Sequence, residues 1–172
     1  MALLFIIGCE EKPENYYSDK VLSFQCPEGW YLNSIEEERI KGKAKTIICT
    51  KEKLMNPSKG EGVVVGWAEI DASIDDTLPM IKKSYKEMYR SQGLDYESSK
   101  IQREDFKGNP GIKYTDTIDY GDGEYTSEFR WFKCDGFHIS FNSIHSEETS
   151  TYTKLNLEKI KQSLECKKGV FS

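Results

Sequence analysis

Hydrophobic and polar positions alternate along most of this chain. Val21-Leu22-Ser23-Phe24-Gln25-Cys26 reads as a strand with Leu22, Phe24 and Cys26 on one side, and Pro27-Glu28-Gly29-Trp30 ends it. Thr46-Ile47-Ile48-Cys49-Thr50 predicts a second strand. Val63 to Ile70 predicts a third, apolar on both sides and therefore central and covered on both. Between them, Glu36 to Lys43 reads as a charged, solvated connection, and Asn56 to Gly62 as a turn-rich loop. Two more strands are expected near Ser98–Phe106 and Gly111–Tyr120, joined by Lys107-Gly108-Asn109-Pro110. The clearest signal is a hairpin. Glu124–Cys134 runs into Asp135-Gly136, a dipeptide suited to a type I′ turn, and Phe137–Ile144 runs back. A two-residue turn sets Cys134 opposite Phe137, Phe132 opposite Ile139 and Arg130 opposite Phe141.

Helical spacing interrupts this pattern twice. Asp75-Asp76-Thr77 opens a helix with Pro79 in its first turn. Leu78, Ile81, Tyr85 and Met88 share one face, and Gly93 stops it. A second helix is expected from about Thr149 to Cys166, with Leu157, Ile160 and Leu164 as its apolar stripe. The order of strands, helix, strands, helix, with hairpin connections, predicts an α+β domain. Its mainly antiparallel sheet would include the Val21 strand. Both sheet faces are apolar, so one helix is expected on each. Phe129, Trp131 and Tyr125 belong beneath the helix carrying Leu78, Ile81 and Tyr85.

Composition narrows the class. The chain has 172 residues, the size of one domain, with 37% hydrophobic and 12% aromatic residues, too many for a disordered chain. A formal charge of −5 argues against nucleic acid as a partner. After residue 8, no apolar run is long enough to cross a bilayer.

The N-terminus carries the sharpest single motif. Met1 to Gly8 has no charged side chain, and polarity switches at once after Cys9. Ile6-Ile7-Gly8-Cys9 resembles the end of a lipoprotein signal peptide, with Cys9 as the lipid-modified residue. The competing reading is a buried first strand with Cys9 in the core. On the lipoprotein reading, residues 1–8 are a signal-peptide remnant, 9–19 a polar tether and 20–172 a single domain. The protein would be a lipid-anchored monomer facing the extracytoplasmic side of the cell membrane.

Setting Cys9 aside leaves Cys26, Cys49, Cys134 and Cys166, an even number suited to an oxidising compartment. Four cysteines allow three pairings. Consecutive strands usually neighbour each other, which favours Cys26–Cys49. The last helix should meet the hairpin face of Phe132 and Ile139, which favours Cys134–Cys166.

The whole pattern resembles the PsbP-type fold over roughly Tyr17 to Leu164. The residues that carry the resemblance are Leu22 to Trp30, Val63-Val64-Val65-Gly66-Trp67 ahead of the helix, Trp131 to Phe141, and Ile160 to Leu164. It implies an antiparallel sheet between helices and a non-enzymatic scaffold. Members of that family act as extrinsic or assembly proteins at membranes, on the side away from the cytosol. This points to a non-catalytic binding or assembly module for a membrane-associated complex, its protein partner unknown. The alternative is an extracytoplasmic lipoprotein that binds a metal or a small ligand.

Candidate chemistry is sparse. The chain has two histidines, His138 and His145, without a second group at a recognised catalytic spacing. Asp116, Asp119, Asp122 and Glu124 cluster about one turn, and Asp119, Asp122 and Glu124 are the candidate cation ligands. A solvated Asp-Gly turn explains the same residues. Arg39, Lys41, Lys43 and Lys45 offer contacts to anionic headgroups, or simply balance Glu36, Glu37 and Glu38. No cofactor and no enzymatic activity are expected.

Overall fold

A computed structural model describes residues 15–39, 42–51, 62–70, 72–121, 123–146 and 150–167, with 34–39 and 42–43 described by their backbone. Cys9, Asp122 and residues 56–61 of the expected loop lie outside the described residues.

In chain order the elements begin with strands β1 (Tyr16–Ser18), β2 (Leu22–Gln25), β3 (Tyr31–Arg39), β4 (Gly42–Thr50) and β5 (Gly62–Glu69), followed by helix α1 (Ile74–Ser91). Strands β6 (Asp95–Ser98), β7 (Gln102–Phe106), β8 (Asn109–Asp119), β9 (Glu124–Cys134) and β10 (Phe137–Ser146) follow. Helix α2 (Ser150–Ser163) and strand β11 (Glu165–Cys166) are the last described elements. The strands form two antiparallel sheets. The larger has the order β3-β4-β5-β10-β9-β8-β6, with β7 also paired to β8; the smaller has the order β1-β2-β11.

The 134–137 hairpin has the expected register, pairing Cys134 with Phe137, Phe132 with Ile139 and Arg130 with Phe141. Asp135 and Gly136 both take positive φ, 45° and 88°, as a type I′ turn requires. β5 lies between β4 and β10, the central place its two apolar sides demand.

The structure corrects several expectations. The Val21 segment does not join the main sheet. Its strand β2 pairs instead with Tyr16–Ser18, expected to lie in the tether, and with Glu165–Cys166, expected to be helix. Residues 36–39 and 42–43 form no solvated loop but belong to the β3–β4 ladder. Its register sets Glu36 against Lys45 and Glu38 against Lys43, opposite charges at paired positions, which favours pairing. The expected Ser98–Phe106 strand divides in two. At the break the Ser99 hydroxyl takes the Thr115 N–H in place of a backbone carbonyl (2.8 Å), while the Ser99 carbonyl accepts from Lys82 Nζ (2.7 Å). Asn109 and Pro110 belong to β8, so only Lys107-Gly108 makes that turn. Finally, α1 starts at a Ser73 N-cap, whose hydroxyl accepts the Asp76 N–H at 3.1 Å, so Pro79 lies beyond the first turn.

The stop of α1 is as expected. Gly93, at φ 72°, places its N–H on the Arg90 carbonyl, and Leu94 places its own on the Tyr89 carbonyl, the paired bonds of a Schellman cap.

The main core gathers Phe132, Ile139, Phe141, Val65 and Ile47 of the large sheet, Leu22 and Phe24 of β2, and Leu157 and Ile160 of α2. A second, smaller cluster packs Leu78 of α1 on Ile112 and Tyr114, with Phe129 and Trp131 at its margin.

Candidate functional site

The site is a cleft of about 540 Å³ beside α1. α1 concentrates its packing on β6, β8 and β9, at one end of the large sheet. The sheet continues through β10, β5 and β4, and the cleft opens between the helix and that continuation. Strand register explains its shape. One row across the sheet reads Trp131, Ser140, Gly66, Thr46, and a neighbouring row reads Lys133, His138, Ala68, Ala44. Beyond β10 each row carries only small side chains, Gly66 and Thr46 in one and Ala68 and Ala44 in the other, and these form the floor. The opposite side of the same strands carries Trp67, Val65 and Ile47, all buried.

The wall is aromatic. Phe129 stacks on Tyr114 with ring centres 4.8 Å apart, and Tyr85 of α1 leans on Phe129 at 5.9 Å. Trp131 meets His138 edge-on at 6.4 Å. Polar atoms are few and neutral. The Ser127 hydroxyl donates to the Asn142 side-chain oxygen (2.8 Å), which fixes the amide at the cleft. Ser140, Thr46 and Ser84 add hydroxyls. Among the described residues that line the cleft Lys45 is the one charged residue, and its ammonium sits 5.4 Å above the Tyr17 ring on the other side of the sheet.

Neither a scan against protein-family models nor a search of curated proteins finds a match. Among solved structures, the chain is similar to cyanobacterial PsbP (CyanoP) from Synechocystis sp. PCC 6803. The TM-score is 0.63 at 15% identity, over 96% of this chain and 98% of that one. This chain has a PsbP-like fold.

Within the PsbP-like fold, the sequence-predicted candidates are scattered. His138 and His145 fall at odd separation on β10 and so lie on opposite faces of the sheet. His138 is buried behind Trp131, and neither ring nitrogen makes a hydrogen bond of good geometry. Burial holds it below the usual histidine range, Lys133 adds to that, and the Ala72 backbone only partly opposes. His145 lies beneath α2, likewise held down by burial and by Lys154, with Glu128 opposing. Asp119 and Glu124 pair across the β8–β9 ladder, and Asp119 spends one oxygen on the Gly121 N–H at 2.7 Å. Among the described residues no three His, Cys, Asp or Glu side chains converge as a metal site. The cysteines do converge. Cα atoms are 5.7 Å apart for Cys26 and Cys49, and 6.1 Å for Cys134 and Cys166, both within disulfide reach.

Local spacing did not reveal the buried setting of three polar residues. Asp19 accepts the N–H groups of Val21 and Leu22 on one oxygen, and Tyr17 and Trp67 on the other. Burial raises its carboxyl, but these four bonds outweigh burial and leave it below the ordinary range. Arg130, inside the α2 face, pairs with Glu104 at 2.5 Å and Glu128 at 2.6 Å. Asp116 is 1% exposed beneath α1. Burial pushes its carboxyl up, and the Ser98 and Tyr96 hydroxyls and the Lys82 ammonium only partly offset this. Asp116 Oδ1 and the Tyr96 hydroxyl lack partners of good geometry, so that compensation is weak.

Asp116 makes a pH-dependent prediction. A carboxyl raised by folding loses its proton first in the unfolded chain. Its contribution to stability is therefore fullest below the ordinary carboxylate pKa and falls as pH rises through the raised value. Asp116→Asn is expected to stabilise the protein at pH 7 by about 1 kcal/mol, the scale of a poorly satisfied buried group. That advantage should vanish below the ordinary value of 3.8. Thermal melts of both proteins across the pH range check this. A variant less stable at pH 7 would show that the Lys82 pairing outweighs burial.

Proposed function

We propose that this protein is a membrane-anchored extracytoplasmic lipoprotein, lipidated at Cys9, that serves as a non-catalytic binding or assembly module for a membrane-associated complex. The observation that carries the reading is the PsbP-like fold over nearly the whole chain. We read the two helices as covers on opposite faces of the large sheet. α1 packs with Ile112 and Tyr114, whereas α2 packs with Phe132 and Ile139. Strand alternation separates Phe129 and Trp131 from Phe132. The four remaining cysteines, paired at disulfide distance, suit an oxidising compartment.

The experiment is mass spectrometry of the natively expressed N-terminus, with affinity capture from the same membranes. A diacylated or triacylated Cys9 and a reproducible membrane-protein partner are expected. An unmodified Cys9 following an intact Met1 would refute the anchor. A second reading, a small-ligand-binding lipoprotein, is favoured by one feature: the concave cleft with its aromatic wall and fixed amide.

A further inference from the structure

The cleft beside α1 has a composition that selects its ligand. Its floor is Ala44, Gly66 and Ala68, a nearly bare stretch of sheet. A side chain at Gly66 would press on the Ser140 hydroxyl, since a Cβ there would lie 2.9 Å from Oγ. The floor is thus as flat as the sheet allows along that row. The wall, Phe129 and Trp131, is half-buried although both residues are large, so part of each side chain remains exposed where it lines the cleft. A flat floor beside an aromatic wall accommodates a planar ring better than a branched chain, because stacking and edge contacts both need a flat surface. The volume, about 540 Å³, is that of a site for one small molecule and too small for a folded partner.

Charge decides the rest. Among the described residues Lys45 is the sole charged one in the lining, and its ammonium is engaged over Tyr17 on the far side of the sheet. A charged ligand would leave its hydration shell and meet no counter-charge from these residues, a large cost in an apolar recess. A neutral ligand with one or two polar atoms has partners at hand in the Asn142 amide and the Ser140 hydroxyl.

We propose that the cleft binds a neutral molecule bearing a planar aromatic ring, seated on the Ala44–Gly66–Ala68 floor against Phe129 and Trp131, with its polar atom at Asn142 and Ser140. This inference rests on the small-ligand reading above. It does not depend on the lipid anchor.

The test uses N-phenyl-1-naphthylamine, a neutral ring compound with one N–H, titrated into the full chain. Saturable 1:1 binding is expected, with enhanced dye emission and quenched tryptophan emission. Its sulfonated analogue, 8-anilinonaphthalene-1-sulfonate, should bind at least about tenfold more weakly, the scale set by desolvating a charge without a partner. Ala68→Leu, which extends a half-exposed floor residue into the cleft, should abolish binding while leaving the melting temperature close to that of the parent. Ser140→Ala, which keeps the shape, should weaken it about three- to tenfold, the range of one neutral hydrogen bond. Absence of saturable binding, equal affinity for the sulfonate, or undiminished binding to a folded Ala68→Leu protein would each overturn the proposal. A lipidated protein that captures a membrane partner but binds no dye would reject the ligand and leave the assembly reading intact.

Discussion

Replacing Phe132 with Ala is expected to lower the free energy of unfolding by about 3–5 kcal/mol, the range for deleting a fully packed aromatic side chain. Phe132 is 1% exposed. Its ring stacks on Phe106 with centres 4.5 Å apart and on Phe141 at 5.9 Å. Leu157 and Ile160 of α2 belong to the same cluster. Little around the site can collapse into the space, because its neighbours are held by three strands and a helix. The adjacent residue supplies the control. Trp131 is larger but points to the other face and is only half-buried at the cleft. Trp131→Ala should cost markedly less, about 1–2 kcal/mol, as expected where the lost side chain was partly in water. Urea denaturation of both variants is the measurement. Equal losses would contradict the placement of the two residues on opposite faces, and with it the separate roles given to those faces.

How far the sequence reached depended on what fixed each element. The β9–β10 hairpin was fully legible because Asp135-Gly136 permits one tight turn, and a two-residue turn sets every pairing that follows. The place of β5 was legible from its two apolar sides. The β3–β4 ladder was not, because the charges from Glu36 to Lys43 resemble a solvated loop until the two strands are set side by side and their signs complement. The short strands β1 and β11 carry no pattern of their own. They exist because β2 offers both edges, a tertiary effect that local spacing cannot report. The cleft was hidden for a similar reason. Ala44, Gly66 and Ala68 are distant in sequence or unremarkable singly, and become a floor only through register. Asp116 stood out as an acidic residue near a turn. Its burial followed only from the position of α1 over β8.

Breaking the two cysteine links should have the other large effect, and should act first on the small sheet. Cys26 follows β2 and Cys166 ends β11, both at the small sheet, whereas Cys49 in β4 and Cys134 in β9 belong to the large one. Each pair therefore ties one sheet to the other. We expect peptide mapping of the unreduced native protein to find Cys26 joined to Cys49 and Cys134 joined to Cys166. Cys49→Ala or Cys134→Ala should each cost about 2–4 kcal/mol, the usual contribution of a bridge closing a loop of this length. The loops span 23 and 32 residues. The small sheet is the part that depends on them. Its strands have three, four and two residues, too short for a stable sheet alone. Apart from the bridges it is held by burial of Leu22 and Phe24, by the Asp19–Trp67 hydrogen bond at 2.8 Å, and by Lys107 Nζ on the Leu164 carbonyl at 2.8 Å. Under mild reduction, amide exchange should rise first in residues 16–25 and 164–167, while the β9–β10 hairpin keeps its protection. Uniform loss of protection across both sheets would show that the two unfold as one unit. Unchanged stability on reduction would show that packing, and not the cysteines, joins them.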